Sequence, residues 1–387
     1  MPTDRLRVGV AAAGLCTFIN LYATQALLPT LAVDFGTSLA QTGLTVTASL
    51  VAVAMVAPFV GGISDAYGRR RLIVWASVVL IAPTLVCGIA PSLGVMIAAR
   101  FVQGLLLPFI FAVTIAYIAE ERPGAEGVRA TGSYVIGTIF GGFGGRFIAG
   151  WTAELFEWRA AFFVLAAITL VCAGVIGTCL PAERNFRAVR GWRGTVLGFR
   201  DQFRNRQVMA TCGIGFTVLF SIVATFTYAN FLLAAAPYNL GPAELGSVFV
   251  VYLLGAAATP LAGRLTIRLG RKRTVLLGGV VCAAGLLLTL AASLPVIVLG
   301  MGVVAVGIFT EQALSIGYVA LAARQARSTA VGLYVTCYYI GGALGGVAPA
   351  GIWSHLGWPG CVALVLLVQA VSMTAMWLVW PNDHALR

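Results

Sequence analysis

Few residues in this chain are placed to do chemistry, and two stand out because their surroundings are apolar. Glu311, followed by Gln312, interrupts one long hydrophobic run, and Arg100, with Gln103 three residues on, interrupts another. A charge at the centre of a bilayer costs at least about 2.5–3.5 kcal/mol on insertion scales unless it is paired or wetted, so such residues are functional candidates by default. A carboxyl group shielded from water can exchange protons during a cycle, which makes Glu311 a candidate for proton coupling or cation binding and sets Arg100 beside it. Each also has a plainer reading. Glu311 can be a hydrogen-bonded interhelical contact, and Arg100, only ~10 Å into its helix, can snorkel to the nearer interface.

Other chemistries are poorly served. The two histidines, His355 and His384, stand beside a turn and in the C-terminal tail, so neither can join a catalytic cluster at membrane depth. The eight cysteines (Cys16, Cys87, Cys172, Cys179, Cys212, Cys282, Cys337 and Cys361) all fall in apolar stretches, without C-x-x-C spacing or a nearby histidine. They read as small hydrophobes rather than metal ligands. No enzyme, no metal site and no bound cofactor is expected.

The elements that must carry these residues follow from composition. The 387 residues are 60% apolar and 10% charged, against roughly 45–50% and about 25% in soluble domains. That excludes disorder, a disulfide scaffold and a soluble enzyme. Apolar runs between charged or Gly/Pro-rich breaks fall at 8–31, 42–63, 72–92, 94–118, 130–150, 159–181, 208–234, 243–264, 274–293, 295–320, 329–351 and 360–380. Period-2 alternation is absent and backbone amides cannot stay unpaired in hydrocarbon, so these predict twelve helices in an all-α polytopic membrane protein. The first run is too long for a signal-peptide core and reads as a retained helix.

The net charge of +12 would raise nucleic-acid binding in a soluble protein, but here the basic residues sit in alternate connections. Arg5 and Arg7, Arg69 to Arg71, Arg122 and Arg129, Arg264 to Arg273, and Arg324 and Arg327 share one side with the arginines of the central connection. Asp34, Glu154, Glu157 and Glu244 lie opposite. The bias places both termini in the cytoplasm, and a basic segment beside a membrane excludes nucleic acid as a partner. Arg146 and Arg159 break the rule, and surface pairing with Glu154 and Glu157 is the expected explanation. Residues 182–207, with Arg184, Arg187, Arg190, Arg193, Arg200, Arg204 and Arg206 among Trp192, Phe199 and Phe203, suit an amphipathic segment on anionic headgroups. They divide the chain into a six-helix bundle at 1–181, a basic linker at 182–207 and a second bundle at 208–387.

The halves repeat. At an offset of about 200 residues, Gly132, Tyr134, Val135, Gly141, Gly142, Gly145 and Trp158 match Gly332, Tyr334, Val335, Gly341, Gly342, Gly345 and Trp358, and Gly61, Gly68 and Arg69 to Arg71 match Gly263, Gly270 and Arg271 to Arg273. Repeats of six helices mark secondary transporters that work by alternating access. Glycines four apart, as at Gly137, Gly141 and Gly145 and again at Gly341 and Gly345, let helix backbones touch.

Gly61-Gly62-Ile63-Ser64-Asp65-Ala66-Tyr67-Gly68-Arg69-Arg70-Arg71 resembles the G-x-x-x-D-[RK]-x-G-R-[RK]-[RK] motif of the major facilitator superfamily, in the loop where that family carries it. Arg100-Phe101-Val102-Gln103-Gly104 looks like its R-x-x-Q-G motif, and Gly132, Gly137, Gly141, Gly142 and Gly145 are similar to its glycine-rich antiporter motif. Gly142 stands where that motif has proline, and Arg146 replaces its last glycine. Tyr22-Ala23-Thr24-Gln25 before Pro29, and Leu333-Tyr334-Val335 running into Tyr338-Tyr339-Ile340-Gly341-Gly342, resemble the bacterial drug:proton antiporter branch.

The resemblance implies two pseudo-symmetric six-helix bundles and a gate in which Asp65 meets the start of the eleventh helix near Thr329. Ile267 stands at the matching place in the second copy, so a single latch is implied, and Ala66 removes one basic partner. It further implies that the first, fourth, seventh and tenth helices line a cavity, with Asn20, Tyr22, Gln25, Gln103, Tyr228, Asn230 and Gln312 as candidate substrate contacts and Tyr338 as a weaker one. Few polar anchors in an apolar cavity suit a small amphiphilic compound better than a sugar. The expected activity is proton-coupled export of small amphiphilic compounds or drugs by a monomer, driven by the proton gradient. The alternative is a permease or facilitator for a sugar, amino acid or metabolite without proton coupling.

Overall fold

A computed structural model describes residues 2–121, 124–183, 201–323 and 327–381. Most of the 182–207 connection, with the arginines from Arg184 to Arg200, lies outside the described residues, as do Arg122, Arg324, His384 and Arg387. The chain forms α1 (Pro2–Leu21, then a 3-10 turn Ala23–Leu27 and a short helix Leu28–Asp34), α2 (Leu39–Tyr67) and α3 (Arg69–Val79, continued as Ile81–Gly88). There follow α4 (Leu93–Glu121), α5 (Ala125–Leu155), α6 (Trp158–Cys179) and α7 (Arg206–Ala234). Then come α8 (Pro242–Val248, a 3-10 turn Phe249–Val251, then Tyr252–Leu269), α9 (Arg271–Leu288) and α10 (Leu294–Ala322). The stretch Arg327–Val379 breaks at Gly357, where φ is +57°, into α11 (327–356) and α12 (358–379). No strand occurs among the described residues.

Nine stretches among the described residues are long and apolar enough to cross a bilayer, the last of them holding both α11 and α12. Two further helices fall outside that set for visible reasons: α5 is rich in glycine, and α9 opens on Arg271, Lys272 and Arg273. The expected spans differ from α1–α12 only at their ends, and the all-α polytopic fold is as the sequence predicts.

Two compact units result, Met1–Trp192 with Leu240–Phe249, and Arg193–Asn239 with Val250–Arg387. The division passes through the 3-10 turn of α8, so the opening segment of that helix groups with the first unit. Within that unit α1 and α5 pack backbone to backbone: Gly137, Gly141 and Gly145 of α5 meet Ala11, Leu15 and Ile19 of α1, and a Cβ on Gly141 would lie 2.7 Å from the Leu15 carbonyl oxygen. Lipid tails are as apolar as leucine, so close packing of this kind, more than burial from water, holds such helices together. In the second unit Gly341 and Gly345 of α11 meet Phe216 and Phe220 of α7, and α9 and α10 approach at Gly278 with Gly307 and at Gly285 with Gly300.

Turn chemistry places the helix ends. Ser38 opens α2 with a capping box, its hydroxyl accepting from the Gln41 N–H while Gln41 accepts from the Ser38 N–H. Gly68 and Gly270 adopt φ of +92° and +83° between α2 and α3 and between α8 and α9. Few other residues tolerate that conformation, which accounts for these two motif glycines.

Candidate functional site

Pro29 shapes the first unit's polar centre. It lacks an N–H and cannot close the helical bond back to Gln25, so the preceding turn tightens to 3-10 and α1 ends as an α-helix at Leu21. That break frees the last carbonyls of the helix. Arg100 of α4, wholly buried, fills the gap: its Nη1 donates to the Asn20 carbonyl (2.6 Å) and to Gln103 Oε1 (2.6 Å), its Nη2 to the Leu21 carbonyl, and its Nε to the Thr45 carbonyl of α2 (3.1 Å). The negative end of a helix thus faces the guanidinium. Full enclosure replaces the snorkelling alternative.

A relay extends from this clamp. Gln103 Nε2 donates to Thr84 Oγ1 (2.7 Å), Thr84 Oγ1 to Asn20 Oδ1 (3.0 Å), and Asn20 Nδ2 to Thr169 Oγ1 (2.9 Å). Asn20 and Gln103, expected as substrate contacts, therefore sit in a buried network that joins α1, α3, α4 and α6.

Arg146 departs from expectation. Rather than pairing at the surface with Glu154 or Glu157, it is 1% exposed, donates from Nε to Gln25 Oε1 (2.8 Å) and from Nη1 to the Gly142 carbonyl, and lies between the Tyr22 and Phe249 rings at 4.4 and 4.5 Å. The 3-10 turn of α1 brings Tyr22 and Gln25 against α5, which linear spacing cannot show. Arg159 pairs with Asp34 (3.2 Å) and lies over the Trp158 ring, while Glu244 accepts from the Gly241 N–H (2.7 Å) at the start of α8.

At the gate motif, Asp65 accepts from Arg69 Nη2 (2.8 Å), and Arg69 also bonds Ser64 Oγ and Glu120. Arg70 donates from its side chain to the Leu180 and Gly177 carbonyls (2.7 Å each) and from its N–H to Glu183. Gly61, Arg71 and Gly263 stand at exposed positions. In sequence, neither Glu120 nor Glu183 is joined to the gate motif, and Glu183 reads only as an acid of the basic linker, although acids beside a run of arginines are the available signal. The second copy is held differently among the described residues: Arg271 lies 5.1 Å from the Tyr318 ring centroid, and Lys272 bonds the Trp380 carbonyl (3.1 Å) above the Trp377 ring.

The second unit encloses Glu311 completely. It points among α9, α10 and α12, near Gly278 and Gly279, and accepts from Gln369 Nε2 at 3.2 and 3.4 Å. Its neighbour Gln312 faces elsewhere and donates to the Tyr338 hydroxyl (3.0 Å). Both partners are half-buried. Tyr338 stacks with Tyr334 and meets Tyr339 edge-on, and the Tyr334 hydroxyl bonds Ser315 (2.8 Å). Tyr228 donates to the Gly346 carbonyl (3.0 Å) and packs on Phe231 and Trp353, and Asn230 is fully buried. The candidate contacts thus separate into Asn20 with Gln103, Tyr22 with Gln25, and Gln312 with Tyr338, while Tyr228 and Asn230 stay within the wall of α7.

An all-helical polytopic chain with a broken first helix clamped by a buried arginine, and glycine hinges between α2 and α3 and between α8 and α9, has the form of a multi-pass membrane transporter. A model of the Major Facilitator Superfamily matches residues 10–236 and 214–387, and the chain belongs to that family. It is 30% identical over 370 residues to the inner membrane transport protein YnfM of Escherichia coli (strain K12), covering 95% of this chain and 89% of that one. It is 28% identical over 374 residues to the uncharacterized MFS-type transporter YybF of Bacillus subtilis (strain 168), covering 95% and 90%. Its fold is similar to that of a bacterial homologue of the human lysosomal transporter Spinster, solved inward-facing and unoccupied, with a TM-score of 0.72 at 14% identity, covering 98% and 95%.

Proposed function

We propose that this transporter exports small amphiphilic organic compounds across a bacterial inner membrane in exchange for protons, by alternating access, with both termini in the cytoplasm. The observation that carries the reading is the setting of Glu311. Among the described residues its hydrogen bonds come from the neutral Gln369 amide, and an amide can donate to a carboxyl oxygen whether or not the acid holds a proton. Proton exchange at this position leaves the surrounding packing in place.

The substrate class rests on the half-buried Gln312–Tyr338 pair and the Tyr334 and Tyr339 rings beside it. A few hydrogen-bonding groups set among aromatic faces suit a flat, partly apolar molecule. The proton gradient supplies the energy, no cofactor takes part, and the protein works as a monomer of two bundles joined by the 182–207 linker.

The test is transport by purified protein in liposomes under an imposed pH gradient, screened across compound classes. Wild type should move an amphiphilic substrate against its own gradient, while Glu311→Gln should retain only gradient-free exchange. Transport of a sugar, amino acid or metabolite that ignores the pH gradient would replace this reading with a facilitator.

A further inference from the structure

The two glycine seams follow one register. Along α1 and α5 the contacts step together, Gly137 with Ala11, Gly141 with Leu15 and Gly145 with Ile19. Along α7 and α11 they step likewise, Gly341 with Phe216 and Gly345 with Phe220, so the two helices run in the same direction there. Residues four apart share a helix face, and one turn back along both helices this register brings Cys337 to Cys212. The two thiols lie within hydrogen-bonding reach of each other, and both are free. By the internal repeat, Cys337 takes the place of Gly137, where an added Cβ would run into the Ala11 backbone. At this turn the second seam carries a cysteine on each helix, where the first has Gly137 and Ala11.

We propose that Cys212 and Cys337 form a dithiol modification site, which a peroxide closes into a disulfide that staples α7 to α11. The two members have different surroundings: Cys212 is buried and Cys337 only half-buried. Cys337 is thus the sulfur that meets the oxidant, and Cys212 the one that resolves it. The Cys337 sulfur attacks one peroxide oxygen, an S–O bond forms as the O–O bond breaks, and the first water leaves with the thiol proton. The Cys212 sulfur then attacks the resulting sulfenic acid, an S–S bond forms as the S–O bond breaks, and a second water leaves. Two thiols are oxidised by two electrons and one peroxide is reduced to two waters. A disulfide requires a Cα separation of roughly 4.4–6.8 Å, and the backbone contact one turn on, at Gly341 and Phe216, draws the two helices together. Cys212 also lies only ~10 Å along α7 from its Arg206 end, within reach of a small uncharged oxidant entering from that side.

The test treats the purified full-length protein in detergent with hydrogen peroxide, alkylates the remaining thiols and maps them by peptide mass spectrometry. The expected result is a Cys212–Cys337 linked peptide that dithiothreitol removes, with Cys16 and Cys282 still reduced and the thermal midpoint raised in the linked form. Cys212→Ser and Cys337→Ser should each lose the link. Oxidation of Cys337 to sulfinic acid while Cys212 stays a thiol, or equal linking of Cys337 to another cysteine, would overturn the proposal. None of these readouts depends on transport, so they stand apart from the proposed export activity. A transport assay on the same samples adds one arm: peroxide should lower wild-type transport several-fold and leave Cys337→Ser unchanged.

Discussion

Arg100 in the first unit and Glu311 in the second are both wholly enclosed, and the two are held in opposite ways. Arg100 has its guanidinium divided among three backbone carbonyls and Gln103, with the end of a broken helix supplying partial negative charge. Glu311 takes its hydrogen bonds, among the described residues, from a single neutral amide. A charge held by four hydrogen bonds to three helices is a fixed part of the architecture. A carboxyl group that has one partner, able to serve either protonation state, is free to change. Under the proposed exchange, the enclosed group of the first unit serves rigidity and that of the second serves the proton.

The contrast breaks most visibly at Arg100. Arg100→Met strands three carbonyls and Gln103, and with each buried unmade bond costing about 1–3 kcal/mol, folded protein should be largely lost on fluorescence-detected size exclusion. Arg100→Lys should rescue little, because an ammonium cannot reproduce a planar fork; a wild-type midpoint for Arg100→Lys would break the clamp reading. Gln369→Leu should come next, removing the amide that holds Glu311 at a cost of about 1–3 kcal/mol, read as a lower thermal midpoint in detergent. Thr84→Val, close in shape, interrupts the relay from Gln103 to Asn20 and should cost about 1 kcal/mol, with the α1 break intact. The smallest stability effect is expected for Glu311→Gln, where amide meets amide and the midpoint should move by less than about 1 kcal/mol equivalent. A collapse of Glu311→Gln as deep as that of Arg100→Met would erase the distinction between the two sites.

The gate motif offers the same lesson on a smaller scale. Asp65, Arg69 and Glu120 form an ion-pair cluster in the first copy, while the matching end of α9 relies on the Tyr318 and Trp377 rings and the Trp380 carbonyl. Ile267, 83% exposed, stands where the acid would be. The asymmetry was legible at Ile267 but not at the aromatic partners, which come from α10 and α12, far away in the chain.

What could be read beforehand shares one property: it is local. Apolar run length marks the helices, Gly68 and Gly270 mark the hinges, and glycines four apart mark a bare face, since each signal lies within a turn or a span of consecutive residues. Arg146 shows the limit. Nearby glutamates in sequence suggested a surface pair, yet Tyr22, Gln25 and Phe249 surround it, and only the tightened turn before Pro29 together with the 3-10 turn in α8 brings them there. The cysteines show it too, because no spacing rule pairs position 212 with position 337.

The sequence by itself determined that this chain lies in a membrane as two related sets of helices, with charges at Arg100 and Glu311 that apolar surroundings make costly. Hydrophobic run length, charge bias and glycine spacing suffice for that, since water and lipid sort residues one segment at a time. Only the tertiary structure decided which groups meet those charges, that Arg146 lies between aromatic rings, and that two thiols face each other across α7 and α11. Partners of this kind come from helices distant in the chain, and the register at which their backbones can touch selects them.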